Sequence, residues 1–512
     1  MQQLTPMDAS FLYLENESTH AHGTLVWLYD ASQSDPSAIT RRVLLDHMRS
    51  RLSVSPVFTR KVQRLPLDFD YPYWVDDPGF ELLYHVRELS LPGQGQWSDF
   101  CQLVAQVHSR PLDHSHPLWE MTLVPGLDGI AGLPAKCFAI LGKFHHVAID
   151  GASGMQIIQS IHDTPGRPAT PSAGSIRPAR GPGLGESLYR AGVRNIGALD
   201  KGLRLFGIGT GRRQKHPDDS ETTATLAEAG PREPSGIPQT LFNQAVCPES
   251  AWESRSFKLA RIKSMRHAAD GATVNDVLLT IVAGGLRHYL MSREALPDSP
   301  MKAGCPVNIR TESEAAAGGN KISAIIVNMH TDIESPLQRL RAISRSSATA
   351  KNRAMQRGSR KILDIASIVP AQAQALLGIA AGKVSGALNR AIAFNGSVSN
   401  LPGPQQELRM LGGRLQSIGA AMPVMNGYGL FVGLTTCAGD LRISMSSSAN
   451  ILPDPAQLAD CMELSFSELA GAVARSDCRQ ASAAGKSKGK TIGGKRRGRT
   501  TPEAGTRQGK NS

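Results

Sequence analysis

The chain has 512 residues, of which 41% are hydrophobic, so it is long enough for several domains and too apolar to be disordered throughout. Its net charge of +12 is concentrated at one end, because residues 480–512 hold nine lysines and arginines and one acid, a net charge of +8. The remaining residues carry only +4. The absence of a secretory signal, of a bilayer-length apolar run and of any Cys-x-x-Cys pair among seven cysteines predicts a cytoplasmic protein with reduced thiols.

The first part of the chain, residues 1–164, shows the strand and helix patterns of an α/β domain. Residues 23–29 and 137–144 are mostly apolar runs of strand length. Apolar residues at helical spacing predict helices over 39–53 and 152–162.

Residues 165–239 interrupt this pattern. Five prolines and four glycines lie between Pro165 and Gly183, which is typical of a linker. Within the linker, residues 188–206 regain helical spacing, with arginine and lysine beside an apolar stripe, as in helices that lie on a membrane surface. Residues 371–393 are a second apolar helix candidate, for which an ordinary core-facing role is the alternative.

A second folded part is expected over residues 240–479. Thr273 and Asp276 have the spacing of a capping box at the start of a helix. The other elements predicted here are strands at 254–259, 428–436 and 441–447, the last two joined as a hairpin, and a helix at 458–474. Residues 480–512 are predicted to be a disordered basic tail.

The segment that carries most chemical information is Phe144-His-His-Val-Ala-Ile-Asp-Gly151, at the end of an apolar strand. Histidine titrates near neutrality and can accept and return a hydroxyl proton, and a strand end is a rigid support for such a base. Gly151 permits a tight turn before the next helix. Adjacent side chains on a strand point to opposite faces, so chelation of one metal by both histidines is unfavourable, and we predict no metal site.

His-His-x-x-x-Asp-Gly is the signature of the coenzyme-A-dependent acyltransferase superfamily, which includes chloramphenicol acetyltransferase and peptide condensation domains. Further motifs resemble the bacterial wax ester synthase/diacylglycerol acyltransferase family. These are Leu4-Thr-Pro-Met-Asp8 with Phe11-Leu12 and Glu15, Pro117-Leu-Trp-Glu120, Asn275-Asp-Val277, Pro306-Val-Asn-Ile-Arg310 and Ser399-Asn-Leu-Pro-Gly-Pro404.

The resemblance implies an α/β fold of two chloramphenicol acetyltransferase-like subdomains, residues 1–164 and 240–479. Each would be a mixed β-sheet with flanking helices, and the two would meet at a central tunnel. His146 would be the general base that deprotonates an alcohol, whose oxygen attacks the thioester of acyl-CoA without an acyl-enzyme. The lack of a Gly-x-Ser-x-Gly motif agrees with direct transfer.

The resemblance also suggests roles for seven other residues. His145 would orient the loop, and Asp150 would support it through an ion pair with Arg310. Gly151 completes the motif, and Asn275 would contribute a hydrogen bond near the reacting carbonyl. The remaining two, Glu15 and Trp119, would contact substrate, although capping explains Asn275 and core packing explains Trp119 equally simply.

The expected partners are acyl-CoA, a long-chain alcohol or diacylglycerol, and the surface of the inner membrane or of lipid inclusions, reached peripherally. No cofactor is expected, and no nucleic acid, because the basic tail lacks interleaved aromatic residues. Two alternatives stay open at this point. One is a condensation or polyketide-type acyltransferase that uses the same His146, and the other is a non-catalytic lipid-surface protein.

Overall fold

Two six-stranded mixed sheets form the centre of the protein in a computed structural model, which describes residues 2–149, 151–165, 181, 183, 185–187, 189–193, 236–308, 322–357 and 393–490. The strands, in chain order, are β1 (Gln2–Gln3), β2 (His22–Asp30), β3 (Arg60–Gln63), β4 (Tyr73–Asp76), β5 (Val86–Glu88), β6 (Trp119–Val124), β7 (Cys137–His145), β8 (Ser250–Lys258), β9 (Lys302–Asn308), β10 (Ile322–Asn328), β11 (Gly396–Leu401), β12 (Arg409–Met410), β13 (Gly413–Ala421), β14 (Leu430–Cys437) and β15 (Asp440–Ser448).

The helices are α1 (Pro6–Leu14), α2 (Arg41–Arg49), α3 (Leu82–His85), α4 (Trp97–Ser109), α5 (Gly151–Ile161), α6 (Leu259–Met265), α7 (Val274–Met291), α8 (Pro336–Arg357) and α9 (Pro455–Lys490). Short 3₁₀ turns occur at Pro36–Ala38, Leu52–Val54, Pro56–Phe58, Pro66–Asp68, Leu241–Asn243 and Arg266–Ala268. Within the described part of the chain, no helix combines the length and apolar character needed to cross a bilayer.

The N-terminal sheet has the strand order β12-β13-β2-β7-β6-β5, with a parallel β5–β6 pair and antiparallel pairs elsewhere. β7 lies in its middle, and all nine of its residues are buried, which explains the apolar run in the sequence. Helix α4 covers one face of β2 and β7, and helices α2 and α5 cover the other. This arrangement fixes the end of β7, where the two histidines lie.

The C-terminal sheet has the order β10-β9-β11-β14-β15-β8, in which β11 is parallel to both β9 and β14. The two mixed sheets with flanking helices confirm the predicted α/β class. A small third sheet, β1-β4-β3, lies beside them.

Strand β13 connects the two halves. It comes from the C-terminal part of the chain, but it pairs antiparallel with β2 and so completes the N-terminal sheet. Side chains of β15 also reach its backbone, since the Ala420 amide donates to Ser444 Oγ over 3.2 Å and the Met422 amide just beyond it to Ser446 Oγ over 3.1 Å. The sequence predicts two separate subdomains and gives no sign that one strand of the second part completes the sheet of the first.

Several local predictions agree with the structure. β2, β7, α5 and the β14–β15 hairpin lie where the patterns placed them, and Thr273 and Asp276 cap α7 reciprocally. Helix α9 continues to Lys490, past the start of the expected disordered tail. Residues 491–512, most of the 188–206 helix and 371–392 lie outside the described residues, and the subdomain boundaries stay predictions.

Candidate active site

His145 and His146 are held by the backbone of the N-terminal sheet. The His145 amide donates to the Leu118 carbonyl over 3.1 Å, and the His146 amide donates to the Ala21 carbonyl over 2.8 Å. The chain then turns, with the Ala148 amide donating to the His145 carbonyl over 2.9 Å. The pair therefore sits on a rigid strand end, as the sequence predicts.

His146 is half-buried and faces a narrow, mostly apolar cavity of about 90 Å³. Burial, and to a smaller extent the neighbouring His145, lowers the pKa of His146 to about 4. The imidazole is therefore neutral at physiological pH and available to accept a proton. Its ring stacks on that of Phe11, with centroids 5.2 Å apart and planes inclined by 23°.

Both halves of the molecule line this cavity. Gly23 on β2 leaves room for Met422, since a Cβ at Gly23 would lie 2.8 Å from the Met422 sulfur. Gly403 lets its loop approach β14, where a Cβ would lie 1.5 Å from the Thr436 carbonyl oxygen. The full lining is Gly23, Leu25, Phe144, His146, Ile149, Gly154, Met155, Ile157, Ile158, Leu401, Gly403, Ile418, Met422 and Thr435. Such a surface suits a hydrocarbon chain beside a single base.

His145 is buried and points elsewhere, into a cluster with the partly exposed Glu15 and His114. His145 Nε2 lies 3.3 Å from one Glu15 oxygen, a distance within ion-pair reach but without good hydrogen-bond alignment. His114 Nε2 lies 2.9 Å from the other oxygen, and the Ala21 amide donates to Glu15 over 2.7 Å. Burial raises the pKa of the Glu15 carboxyl, but contacts with His114 and His145 outweigh it and hold that pKa well below its usual range.

The donor atoms of this cluster lie close enough together to suggest a metal site. However, the Val147 amide donates to His145 Nδ1 over 3.0 Å, so the neutral ring carries its proton on Nε2. A protonated Nε2 has no lone pair for a metal and instead faces the Glu15 carboxylate. The chemistry of these atoms therefore favours electrostatic support of the loop by Glu15 over metal ligation.

Two other predicted residues lie away from the cavity lining. Trp119 is fully buried on β6, where it stacks on His85 at 4.5 Å and donates from Nε1 to the Phe58 carbonyl over 3.1 Å. This placement fits core packing, so the expected substrate contact of Trp119 gains no support. Asn275 is half-buried in the first turn of α7 and is not part of the lining.

Of the three remaining predicted site residues, the structure describes only Gly151. Gly151 is the first residue of α5. Asp150 and Arg310 lie outside the described residues, so their ion pair stays a prediction. The sequence motifs predict no role for Phe11 or His114. Phe11 and Glu15 lie four residues apart, the spacing of one helix face, and this spacing could have placed Phe11 beside Glu15 near the histidines. No sequence pattern indicates that His114 belongs to the site.

Comparison with known proteins connects this geometry to a family. The profile described as the wax ester synthase/diacylglycerol acyltransferase catalytic domain matches residues 4–278, and that of the WS/DGAT C-terminal domain matches residues 318–470. The chain is 28% identical to the O-acyltransferase WSD of Acinetobacter baylyi over 488 residues, 93% of this chain and 99% of that protein. It is also 28% identical to the probable diacylglycerol O-acyltransferase tgs2 of Mycobacterium tuberculosis over 491 residues, 92% and 100% of the two chains.

Solved structures show the same fold. The wax ester synthase/diacylglycerol acyltransferase of Marinobacter aquaeolei VT8 superposes with a TM-score of 0.64 at 24% identity, covering 92% of this chain and all of that one. The trichothecene 15-O-acetyltransferase of Fusarium sporotrichioides gives a TM-score of 0.53 at 10% identity, over 92% and 95% of the two chains. At these identities the likeness concerns the fold alone.

Proposed function

The chain belongs to the wax ester synthase/diacylglycerol acyltransferase family, whose catalytic profile covers more than half of it, and we propose that His146 is the general base of its reaction. The protein is an acyltransferase that moves a fatty acyl group from acyl-CoA to an alcohol or to diacylglycerol. The observation that carries the proposal is a neutral, half-buried histidine at the edge of an apolar cavity.

The reaction on this proposal is a direct transfer. The His146 ring takes the proton of the acceptor hydroxyl, and the oxygen attacks the thioester carbonyl. The tetrahedral intermediate collapses to the ester and the thiolate of coenzyme A, which recovers the proton from the ring. No serine or cysteine of the described residues lines the cavity, and the Thr435 hydroxyl donates to the Ile418 carbonyl, which agrees with a mechanism without an acyl-enzyme.

The supporting residues divide into two groups on this proposal. Glu15 and His114 hold His145 and, through Ala21, the backbone of His146. Asp150 and Arg310 are proposed to brace the start of α5 as an ion pair. Asn275 is kept as a candidate donor to the reacting carbonyl.

The function is tested by the release of free thiol from palmitoyl-CoA, with hexadecanol or diacylglycerol as acceptor. We expect His146→Ala to lower kcat by about 100- to 10,000-fold, the usual effect of losing a positioned base. Its matched control is His267→Ala, at an exposed histidine, which should keep wild-type activity. Near-wild-type ester formation by a folded His146→Ala protein would show that another group is the base.

A peripheral contact with lipid surfaces is also part of the proposal. The acceptors and the esters are nearly insoluble in water, so the enzyme must meet them at an interface. The +8 charge of residues 480–512 would attract anionic headgroups at such a surface.

A further inference from the structure

Helix α1 presents the ring of Phe11 to His146. Thr5 caps the start of the helix, and the buried side chains of Leu12 and Tyr13 anchor it in a core cluster. The Phe11 ring therefore has a fixed position, stacked on the His146 imidazole at 5.2 Å.

The proposed reaction requires a positive charge at this position. While the His146 ring holds the acceptor proton it is an imidazolium, and burial disfavours that charge. Among the described residues, no carboxylate lies within ion-pair distance of the His146 ring. Glu15 is already engaged by His114, His145 and the Ala21 amide.

An aromatic ring attracts a cation over its face when the cation lies within about 6 Å of the ring centroid. The Phe11–His146 distance of 5.2 Å and the small angle between the rings meet this condition. The attraction acts on the imidazolium and much less on the neutral imidazole, so it strengthens as the proton is transferred. Such an interaction accelerates the reaction.

We propose that Phe11 is a positioning residue for the base: its ring orients the His146 imidazole and stabilises the imidazolium that forms when the acceptor hydroxyl loses its proton. The inference rests on the proposed role of His146. The proton passes from the hydroxyl to the ring and then to the departing thiolate, so the step needs no further reactant.

Other titratable groups near His146 stay the same in every Phe11 variant, so differences among variants report on the Phe11 ring. The cavity lining contributed by α5, β13 and β14 contains no charged side chain among the described residues. Among the described residues, His145 on β7 and His108 on α4 interact electrostatically with His146. The other titratable side chains on these elements and on α1 and β2 include Asp8, Tyr13, Glu15, His22, Tyr29, Asp30, Cys137 and Lys143.

The test is a fluorination series at position 11, made by site-specific incorporation of 4-fluoro-, 3,5-difluoro- and 3,4,5-trifluorophenylalanine. Fluorine weakens the negative face of the ring but barely changes its shape. We expect kcat to fall stepwise, by about 3- to 10-fold across the series, with little change in KM for palmitoyl-CoA. The acid limb of the pH profile should move to lower pH by about 0.5 to 1 unit, because the imidazolium loses its support.

Natural substitutions complete the design. Phe11→Tyr keeps an electron-rich ring and should retain activity, whereas Phe11→Leu should lose activity as far as the trifluorinated ring or further. The same fluorination at Phe58, whose ring makes a T-shaped contact with that of Trp119, is the control and should leave kcat unchanged. Melting temperatures identify any variant whose fold is damaged.

The outcomes separate the two proposals. If His146→Ala is inactive but kcat stays flat across the Phe11 series, Phe11 has no electrostatic role and the inference is wrong. If His146→Ala keeps wild-type activity, the proposed base is wrong, and the role of Phe11 fails with it.

Discussion

His145 and His146 are neighbours in sequence, but their side chains lie in different surroundings. His146 faces the apolar cavity, whereas His145 is fully buried against Glu15. The two side chains diverge where β7 ends, because His145 is its last residue and His146 begins the turn that follows. One histidine is thus free to take a proton while the other holds the turn.

The lowered pKa of His146 predicts an unusual pH profile. The ring acts as a base only when it is neutral, so activity should persist well below pH 6.5 and be lost as the pH falls through about 4. The measurement is kcat/KM for thiol release between pH 4 and 8, with circular dichroism at each pH to show that the protein is folded. An acid limb near pH 6.5 in folded protein would mean that the ring is solvated rather than buried.

Helix α1 is the element that supports both histidines. Phe11 and Glu15 lie one helical turn apart, and they reach His146 and His145 respectively. Phe11 and Glu15 of the N-terminal motif thus each contact one of the two histidines. We propose that this motif supports the turn that holds the two histidines, a role that differs from the substrate contact expected of Glu15.

Glu15→Gln tests this support. An amide can accept from the Ala21 N–H but presents an N–H to one of the two histidines, so the cluster loses a charged contact. We expect a loss of about 1 to 3 kcal/mol of stability at pH 7 and a fall in kcat with KM little changed. Because the pKa of Glu15 is lowered in the folded state, the stability difference should shrink as the pH falls below the unfolded value of roughly 4.3.

The control for this substitution is Glu17→Gln, two residues away and exposed. It should change neither stability nor kcat. Chemical denaturation at pH 7 and at pH 4 provides the comparison. Equal stability of Glu15→Gln and wild type at pH 7 would show that the charged contacts of Glu15 do not stabilise the protein.

The elements that the sequence predicts well are those whose pattern is local. Burial of β7 on both faces gives a continuous apolar run, and the cap of α7 needs only Thr273 and Asp276, so both are visible in a short window. The pairing of β13 with β2 joins residues almost 400 positions apart, and no local pattern encodes it. His114 could not be predicted for the same reason, because it contacts Glu15 only in the folded chain and no local pattern links the two residues.

At the scale of the whole molecule, the cavity exists because the two halves share β13. Ile418 on that strand lines the cavity from the N-terminal sheet together with Leu25 and Phe144. Helix α5 covers this face of the sheet, and Leu401 and Thr435 line the cavity from the C-terminal sheet. Residues of both halves must therefore be in place before His146 has its environment. The motif alone predicts the base, but it does not predict which side chains from the second half complete the cavity.

The basic end of the chain predicts how the enzyme meets its substrates. Residues 491–512 follow helix α9 and contain six lysines and arginines and one glutamate, a net charge of +5. Each basic residue near an anionic surface contributes roughly 1 kcal/mol of attraction, which fades as salt is added. Deletion of 491–512 should therefore weaken sedimentation with phosphatidylglycerol vesicles at low salt and leave activity on detergent-dispersed substrate unchanged. A full-length variant with the six basic residues changed to glutamine separates charge from length and should behave like the deletion. If neither change weakens vesicle binding, or if binding of the wild type does not depend on ionic strength, the lipid contact lies on another surface of the protein.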